Sequence, residues 1–461
     1  MSAGIPRVLL TDTNRWPAPA RLAIALSDAG CEVSGLCRTP GNPLLKTHAV
    51  RRAFPYSGLH PLDSIVAAVD AVHPHIIVPC DDRGVKHLHE LHSQSLSKGD
   101  AGQTLVELIE RSLGLPESYP IVSSRYELLR IAAEESIPVP PTYRIESVQD
   151  VRACFSRHTS TWVLKADGTW GGGGVRFAES MDQAERDFLE LTSLPGAAEM
   201  VKRMLLNRDR SWLLPKPSQP RPSVIAQSWI CGRPANCAVS CWKGKVLAGI
   251  AVDVLSSNGV KGPATVVRIV DSAAMMFAAE RIAARLGLSG IFGLDFMIDD
   301  EKGATYLIEM NPRCTPVCHL QLGADHDLAG ALVAQLAEQP YRPANACIEN
   351  DCIAYFPQAW NTKSEFLPVS FHDIPQGEPA LVQELLHPWS QRSLLGRMVD
   401  GVRRMRDQDT SSAVAFTYAI APANHVSECK NDSSAVVALP KVATTFLAES
   451  SQRQITQSSD C

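Results

Sequence analysis

Three side chains with oxygen donors follow a regular spacing in the second half of the chain. Glu309 and Asn311 lie two residues apart in the segment LIEMNPR, so on a β-strand both point to the same face. Asp295, in FGLDF, precedes Glu309 by 309 − 295 = 14 residues, which places it on a neighbouring antiparallel strand. Oxygen ligands that converge from paired strands suit Mg²⁺, which leaves other coordination positions for phosphate. The spacing predicts a magnesium site with Arg313 facing it, whereas a single acidic residue at a strand end would more simply be a solvated sheet edge.

A second chemical pattern is a lysine followed by glycines. Lys165 ends the apolar run WVLK, and glycines occupy positions 168 and 171–174. Glycine lets backbone N–H groups approach phosphate oxygens closely, and a lysine ammonium neutralises their charge. The order differs from that of the P-loop, in which the lysine follows the glycines. A flexible hairpin tip is the alternative interpretation of this loop.

The two patterns together resemble the ATP-grasp superfamily, which includes biotin carboxylase, carbamoyl-phosphate synthetase and D-alanine–D-alanine ligase. The order of the motifs carries the resemblance: Lys165 before a glycine loop, then Asp295, then the segment EMNPR. It extends over residues 8–339. It implies an N-terminal α/β domain, a helix that leads to the segment IPVP, the glycine loop, a hinge strand and the metal-binding strands.

By this resemblance, the cofactor-binding positions contact the ATP phosphates, form the adenine-binding hinge or pack on adenine. They are Arg125, Lys165, Gly171, Gly172, Gly173, Gln227, Ser228, Trp229, Ile230 and Met297. Arg125 stands where the family usually has a second phosphate-binding lysine, and an arginine fork is not equivalent to a lysine point charge. Gln227 stands where the family often has an acidic residue. Met297 packs against adenine in this interpretation, or else it belongs to the core.

The resemblance also implies the metal ligands and the catalytic positions. The ligands of Mg²⁺ are Asp295, Glu309 and Asn311, and the catalytic positions are Arg313, Arg268 and Lys165. Arg313 would stabilise the transferred phosphoryl group, although an ion pair at a domain interface is the alternative. Arg268 is a candidate at the phosphate end, with a surface salt bridge as its alternative. The implied cofactors are ATP and two Mg²⁺ ions, for which Mn²⁺ can substitute.

The elements that must position these residues indicate an α/β fold. In the first hundred residues, strands at Arg7–Thr11, Cys31–Cys37 and His75–Pro79 alternate with helical segments, which is typical of a parallel, doubly wound sheet. The resemblance implies that the ATP-grasp part is α+β and two-lobed, and its last paired strands are predicted at Gly293–Ile298 and Thr305–Met310. The predicted domains are residues 1–120, 121–344 and an appended region, 345–461, with a frayed tail.

Composition narrows the possible functions. The 461 residues carry 44 Lys+Arg and 49 Asp+Glu, a net charge of −5 without a strongly basic block, which argues against a dedicated nucleic-acid binder. No apolar run reaches the roughly 20 residues of a membrane span. Thirteen cysteines without an export signal lead us to expect a cytoplasmic protein with reduced thiols. No membrane or nucleic-acid partner is expected, and homodimerisation is left open.

The resemblance implies an ATP-dependent ligase that activates a carboxylate as an acyl phosphate and joins it to an amine or a similar nucleophile. Small-molecule carboxylates and amines are therefore the expected partners. Two alternatives remain open. One is a bicarbonate-activating enzyme like biotin carboxylase or carbamoyl-phosphate synthetase, and the other is a regulatory protein that binds nucleotide without catalysis.

Overall fold

A parallel β-sheet of four strands begins the chain. The computed structural model describes residues 4–157, 161–168, 174–193, 222–259, 262–342 and 350–388. In the first part strands and helices alternate: β1 Arg7–Asp12, α1 Ala18–Asp28, β2 Glu32–Cys37, β3 Val50–Pro55, α2 Pro61–Val72, β4 Ile76–Pro79, α3 Asp82–Leu96 and α4 Gln103–Leu113. The strand order is β3-β2-β1-β4, and every pairing is parallel.

Helices cover both faces of this sheet because strand side chains alternate. On β1, Leu10 packs with Leu22 of α1 on one face, whereas Leu9 packs with Leu88 of α3 on the other. The predicted doubly wound arrangement is confirmed. Since α1 and α2 leave the sheet on opposite faces, the carboxyl ends of β1 and β4 lie at its topological switch point, where open α/β sheets form a crevice.

A smaller antiparallel sheet follows. Two helices precede it, α5 Tyr119–Val122 and α6 Arg125–Glu134. Its strands are β5 Thr142–Ile145, β6 Trp162–Ala166, β7 Val175–Ala178 and β8 Val224–Ser228, and the helices between them in the sequence are α7 Val148–Arg157 and α8 Met181–Thr192. The strand order is β5-β8-β6-β7. Ser124 caps α6 by accepting a hydrogen bond from the Glu127 N–H, and the prolines after residue 137 prevent the helix from continuing. Trp162 is fully buried in the core of this sheet.

The largest sheet has seven strands. Its elements are β9 Gly232–Trp242, β10 Lys245–Ser257, β11 Ala264–Ile269, α9 Ala273–Leu286, β12 Gly290–Asp299, β13 Thr305–Asn311, α10 Leu328–Leu336, β14 Cys352–Tyr355, α11 Gln358–Asn361, β15 Phe371–Asp373 and α12 Pro379–Leu386. The order is β13-β12-β9-β10-β11-β14-β15. One face packs on α6 and α9, and the other packs on α10 and the N-terminal sheet. Helix α9 has Ser272 as N-cap and Gly287 in the left-handed conformation after its last turn.

Strands β14 and β15 extend the seven-stranded sheet beyond residue 345. β14 pairs with β11, and β15 pairs with β14. Asp373, at the end of β15, is buried and binds Arg21 of α1 and His319 of the segment after β13. The Asp373–His319 distance is 3.0 Å. The strands after residue 345 are therefore tied to both earlier parts of the chain.

In the part of the chain that the structure describes, no helix combines the length and the apolarity needed to cross a bilayer.

Candidate active site

Asp295, Glu309 and Asn311 lie together on two paired strands. Asp295 of β12 stands directly opposite Glu309 of β13, and Asn311 stands opposite Gly293, two residues from Asp295. The predicted antiparallel pairing is therefore confirmed. Asn311 Nδ2 donates a hydrogen bond to Asp295 Oδ2 at 2.9 Å. These three residues are called the acidic set below.

The register of β13 depends on one extra residue. Phe296 pairs with Leu307 although Asp295 pairs with Glu309, so Ile308 is a bulge. Because β12 itself is regular against β9, Asp295 and Met297 share one face by alternation. Met297 is buried on the face that carries the acidic set.

Lys165 lies at the end of β6, close to the acidic set. Its side chain is buried, and Nζ donates a hydrogen bond to Gln227 Oε1 at 2.7 Å. Burial disfavours the ammonium form and lowers the pKa of Lys165 from 10.5 to about 8, although the charges of Glu309 and Asp295 act in the opposite direction. The neutral Gln227 therefore binds this lysine without fully compensating its charge.

The two carboxyl groups of the acidic set respond differently to burial. Burial and the neighbouring Glu309 charge raise the pKa of Asp295 from 3.8 to about 6. Burial would also raise the pKa of Glu309, but the positive charges of Arg125 and Lys165 outweigh it and hold that pKa below its ordinary value. Glu309 is therefore the carboxylate that keeps its charge in this environment.

Arg125 bridges the two sheets at the start of α6. Its Nη2 donates to Glu309 Oε1 at 2.8 Å, and its Nη1 donates to the Ala166 carbonyl at 2.7 Å. Asp167, one residue further on, lies 3.5 Å from Nη1 and accepts the backbone N–H of Arg125 at 3.3 Å. The guanidinium thus joins the strand end next to Lys165 to the acidic set.

Arg313 also contacts the acidic set, through the side chain of Asn311. Its Nη2 donates to Asn311 Oδ1 at 2.9 Å, and its Nε donates to Asp82 Oδ2 at 3.1 Å. Asp82 opens α3 at the carboxyl edge of the N-terminal sheet, and Arg313 Cζ lies 4.8 Å from the centroid of the Trp16 ring. The structure therefore contains the ion pair with an N-terminal carboxylate, and it also places Arg313 against the acidic set.

The predicted hinge joins the two antiparallel sheets. Gln227 and Ser228 end β8, and Trp229 and Ile230 lead into β9. The N–H of Ser228 donates to Pro141 O and that of Trp229 to Thr161 O, at 2.8 and 3.0 Å. Two of the hinge N–H groups therefore already donate hydrogen bonds to carbonyl oxygens of the protein.

One predicted residue lies away from the cluster. Arg268 of β11 is half-exposed, and its Nε lies 3.8 Å from Asp351 Oδ2. The row of register partners from Asp295 runs through Asn236 and Val252 to Ile269, so its neighbour Arg268 points to the opposite face. Its surroundings fit the surface salt bridge and not the phosphate end. The predicted glycines Gly171, Gly172 and Gly173 lie outside the described residues.

Sequence reasoning missed three residues that contact the site: Trp16, Asp82 and Asp167. Asp82 carried a signal, because it lies three residues after the end of β4 and the carboxyl edge of a parallel sheet is a usual ligand position. Asp167 lies two residues after Lys165. Trp16 is distinguished only by the turn WPAP in which it stands.

The comparison with known families identifies the central part of the chain. A family model described as the ATP-grasp domain matches residues 122–317. These residues form an ATP-grasp domain. The match encloses Arg125, Lys165, the acidic set and Arg313, whereas Trp16 and Asp82, which contact Arg313, precede it. No curated protein gives a significant sequence match to the chain.

Solved structures with low sequence identity share the fold. One is the biotin carboxylase domain of 2-oxoglutarate carboxylase from Hydrogenobacter thermophilus, which was solved as a dimer with MgADP, ADP and bicarbonate. It is 16% identical to this chain, with a TM-score of 0.51, and the match covers 74% of this chain and 71% of that one. N5-carboxyaminoimidazole synthase from Aspergillus clavatus, solved with ADP and 5-aminoimidazole ribonucleotide, is 13% identical with a TM-score of 0.52, covering 74% and 78%. At such identities the likeness establishes the fold.

Proposed function

We propose that the protein is an ATP- and Mg²⁺-dependent ligase that activates a carboxylate as an acyl phosphate and joins it to an amine or a similar nucleophile. The observation that carries this proposal is the convergence of Lys165, Arg125 and Arg313 on the acidic set within the ATP-grasp domain. Buried cations next to carboxylate and amide oxygens suit a bound metal–triphosphate, whose charge needs both kinds of partner.

The donor set fits a magnesium ion. Asp295, Glu309 and Asn311 offer only oxygen donors in a short stretch of two strands, and Mg²⁺ commonly takes one or two carboxylates and completes its shell with phosphate and water. Among the described residues, no three His, Cys, Asp or Glu side chains form a metal cluster, so an ion here would depend on Asn311 and on the nucleotide. When bound, the ion would neutralise charge on the triphosphate oxygens.

The chain's own residues supply the remaining electrostatics. A carboxylate oxygen attacks the γ-phosphorus, the bond to the bridging oxygen breaks, and ADP leaves. Lys165 binds the departing phosphate chain, and Arg313, whose planar fork matches phosphate or carboxylate geometry, stabilises the transferred group. The amine then attacks the acyl carbon, phosphate leaves, and the amine proton passes to solvent. Positioning and charge stabilisation account for the acceleration in such a reaction.

The pairing of Arg313 with Asp82 supports a role for the N-terminal sheet in the acceptor site. Asp82 and Trp16 lie at the carboxyl edge of that sheet and contact Arg313. A substrate that reaches the transferred group would therefore lie between the two parts of the fold, where the crevice of a parallel sheet ordinarily binds ligands.

The test is a screen for ADP release in the presence of Mg²⁺. Amino acids, small carboxylates and bicarbonate are tested one by one against a set of amines, with the Glu309→Gln variant as the matched control. We expect one acid–amine pair to release ADP and phosphate in equal amounts in the parent and not in the variant. Release that needs bicarbonate and no other acid would identify the bicarbonate-activating alternative. Nucleotide binding without release for any pair would refute the ligase assignment.

A further inference from the structure

One oxygen of each residue of the acidic set is already bound by a protein donor. Glu309 Oε1 accepts from Arg125 Nη2 at 2.8 Å, and Asn311 Oδ1 accepts from Arg313 Nη2 at 2.9 Å. Asp295 Oδ2 accepts from Asn311 Nδ2 at 2.9 Å. Two guanidinium groups therefore hold oxygens that a divalent ion would need.

Arg125 is the stronger competitor for such an ion. Its Nη2 forms a hydrogen-bonded ion pair with the carboxylate of Glu309. The guanidinium is nearly buried, with 13% of the side chain exposed. Charge-assisted hydrogen bonds of this kind are about twice as strong as neutral ones, so an ion that takes Glu309 Oε1 must displace a strong contact.

Arg125 also has a fixed anchor next to the phosphate-binding lysine. Its Nη1 donates to Ala166 O at 2.7 Å, and Ala166 directly follows Lys165. A modest rotation about the long side chain can therefore move Nη2 from Glu309 to an anion beside Lys165 while the Ala166 contact persists. The planar guanidinium of an arginine can bind two partners at once in a fixed geometry. A lysine ammonium in the same place is a point charge and would not fix the directions of its two contacts.

We propose that Arg125 couples nucleotide and metal binding by exchange. Without nucleotide it neutralises Glu309 and keeps divalent ions away. A nucleotide phosphate then takes the guanidinium and releases Glu309 to the ion. The inference rests on the proposed function, because it assumes that nucleotide and metal share this site. Coupling of this kind is reciprocal, so the ion must strengthen nucleotide binding by the same factor.

The consequence can be measured without any substrate. Replacing Arg125 by glutamine removes the competing charge and leaves Glu309 accessible. Nucleotide-free R125Q should therefore bind Mn²⁺ about 10- to 100-fold more tightly than the parent, the range expected for the loss of one charge-assisted contact. The same variant should bind ADP more weakly in the presence of EDTA. The factor by which ADP strengthens Mn²⁺ binding should fall by at least tenfold.

The experiment is a Mn²⁺ titration of the full-length protein, followed by electron paramagnetic resonance, with and without ADP. Arg130→Gln is the matched control, because Arg130 lies on the same helix and pairs only at the surface with Glu127 and Glu134; it should behave as the parent. Lys165→Met controls for general electrostatics, since it removes a nearby charge that hydrogen-bonds Gln227 and not the acidic set. It should tighten free Mn²⁺ binding less than R125Q does.

The outcomes separate the two proposals. If the parent binds Mn²⁺ with ADP but R125Q binds free Mn²⁺ no more tightly, or if Lys165→Met has the same effect as R125Q, the exchange is refuted and the ligase proposal stands. If no protein binds Mn²⁺ even with ADP, the metal site itself is refuted. Should R125Q fail to fold by circular dichroism, R125K serves instead. It is expected to weaken the coupling partially, and coupling equal to that of the parent would overturn the exchange.

Discussion

The buried ammonium of Lys165 should make the stability of the fold depend on alkaline pH. The pKa of Lys165 is lowered from 10.5 to about 8 in the folded chain, chiefly by burial. Between these values the unfolded chain binds more protons than the folded chain, so the free energy of unfolding rises with pH. The difference corresponds to about 3 kcal/mol, since one pKa unit is about 1.4 kcal/mol. Below pH 8 the folded chain carries this full penalty.

The Lys165→Met variant isolates the effect. It removes the penalty but also the hydrogen bond to Gln227, which is worth about 1 kcal/mol. We expect the variant to be more stable than the parent by about 2 kcal/mol at pH 7. Above pH 10.5 it should be less stable by about 1 kcal/mol, because the neutral amine still bonds Gln227 in the parent.

Urea unfolding of parent and variant at several pH values from 7 to 10.5 measures the difference directly. Titration of groups that do not interact with Lys165 affects both proteins equally and cancels. Asp295 and Glu309 do interact with Lys165, so the change in the difference above pH 8 is the part that reports on Lys165 itself. A difference that stays constant over this range, or a variant less stable than the parent at pH 7, would refute the argument that Lys165 is buried as an undercompensated charge.

Three further predictions concern the proposed reaction. Glu309→Gln should keep the fold but lose most of the Mg²⁺-dependent thermal protection by ATP. In the parent this protection should be about 2.7 kcal/mol at an ATP concentration of 100 times Kd, and equal protection in the variant would contradict the metal assignment. Arg313→Lys should lower kcat by about 10²–10³ with little change in ATP affinity, whereas Asp82→Asn should leave kcat near normal. A weakened fold with near-normal kcat in Arg313→Lys would make the Arg313–Asp82 pair purely structural. Arg268→Ala should leave ATP affinity and kcat unchanged, and a tenfold loss in calorimetry or kinetics would return this residue to the phosphate end.

The sequence predicted the elements that depend on local patterns. Short apolar runs predicted β1 and most of β12, and Ser272 and Gly287, which bound α9, are residue types that typically begin and end a helix. The pairing of Asp295 with Glu309 also followed from local information, because a short hairpin connects their strands. Such features are set by interactions within about twenty residues of one another.

The contacts that complete the site could not be read in the same way. Arg125 binds Glu309 across 184 positions of sequence, and Arg313 binds Asp82 across 231. Side chains so far apart meet only because three sheets pack together, which no local spacing encodes. The sequence also could not predict the face of the sheet to which Arg268 points, because that face depends on a register counted across four strands.

The way in which β14 and β15 continue the largest sheet has a practical consequence for anyone who shortens the gene. A truncation at about residue 345, where the apolar pattern weakens, would remove the strand that pairs with β11. The hydrogen-bonding edge of β11 would then be open to strands of other molecules, and such an edge promotes aggregation. The same cut would remove Asp373 and leave Arg21 and His319 as buried cationic or polar groups without their carboxylate. A shortened version intended for crystallisation or labelling should therefore retain at least β14, β15 and α12, which ends at Leu386.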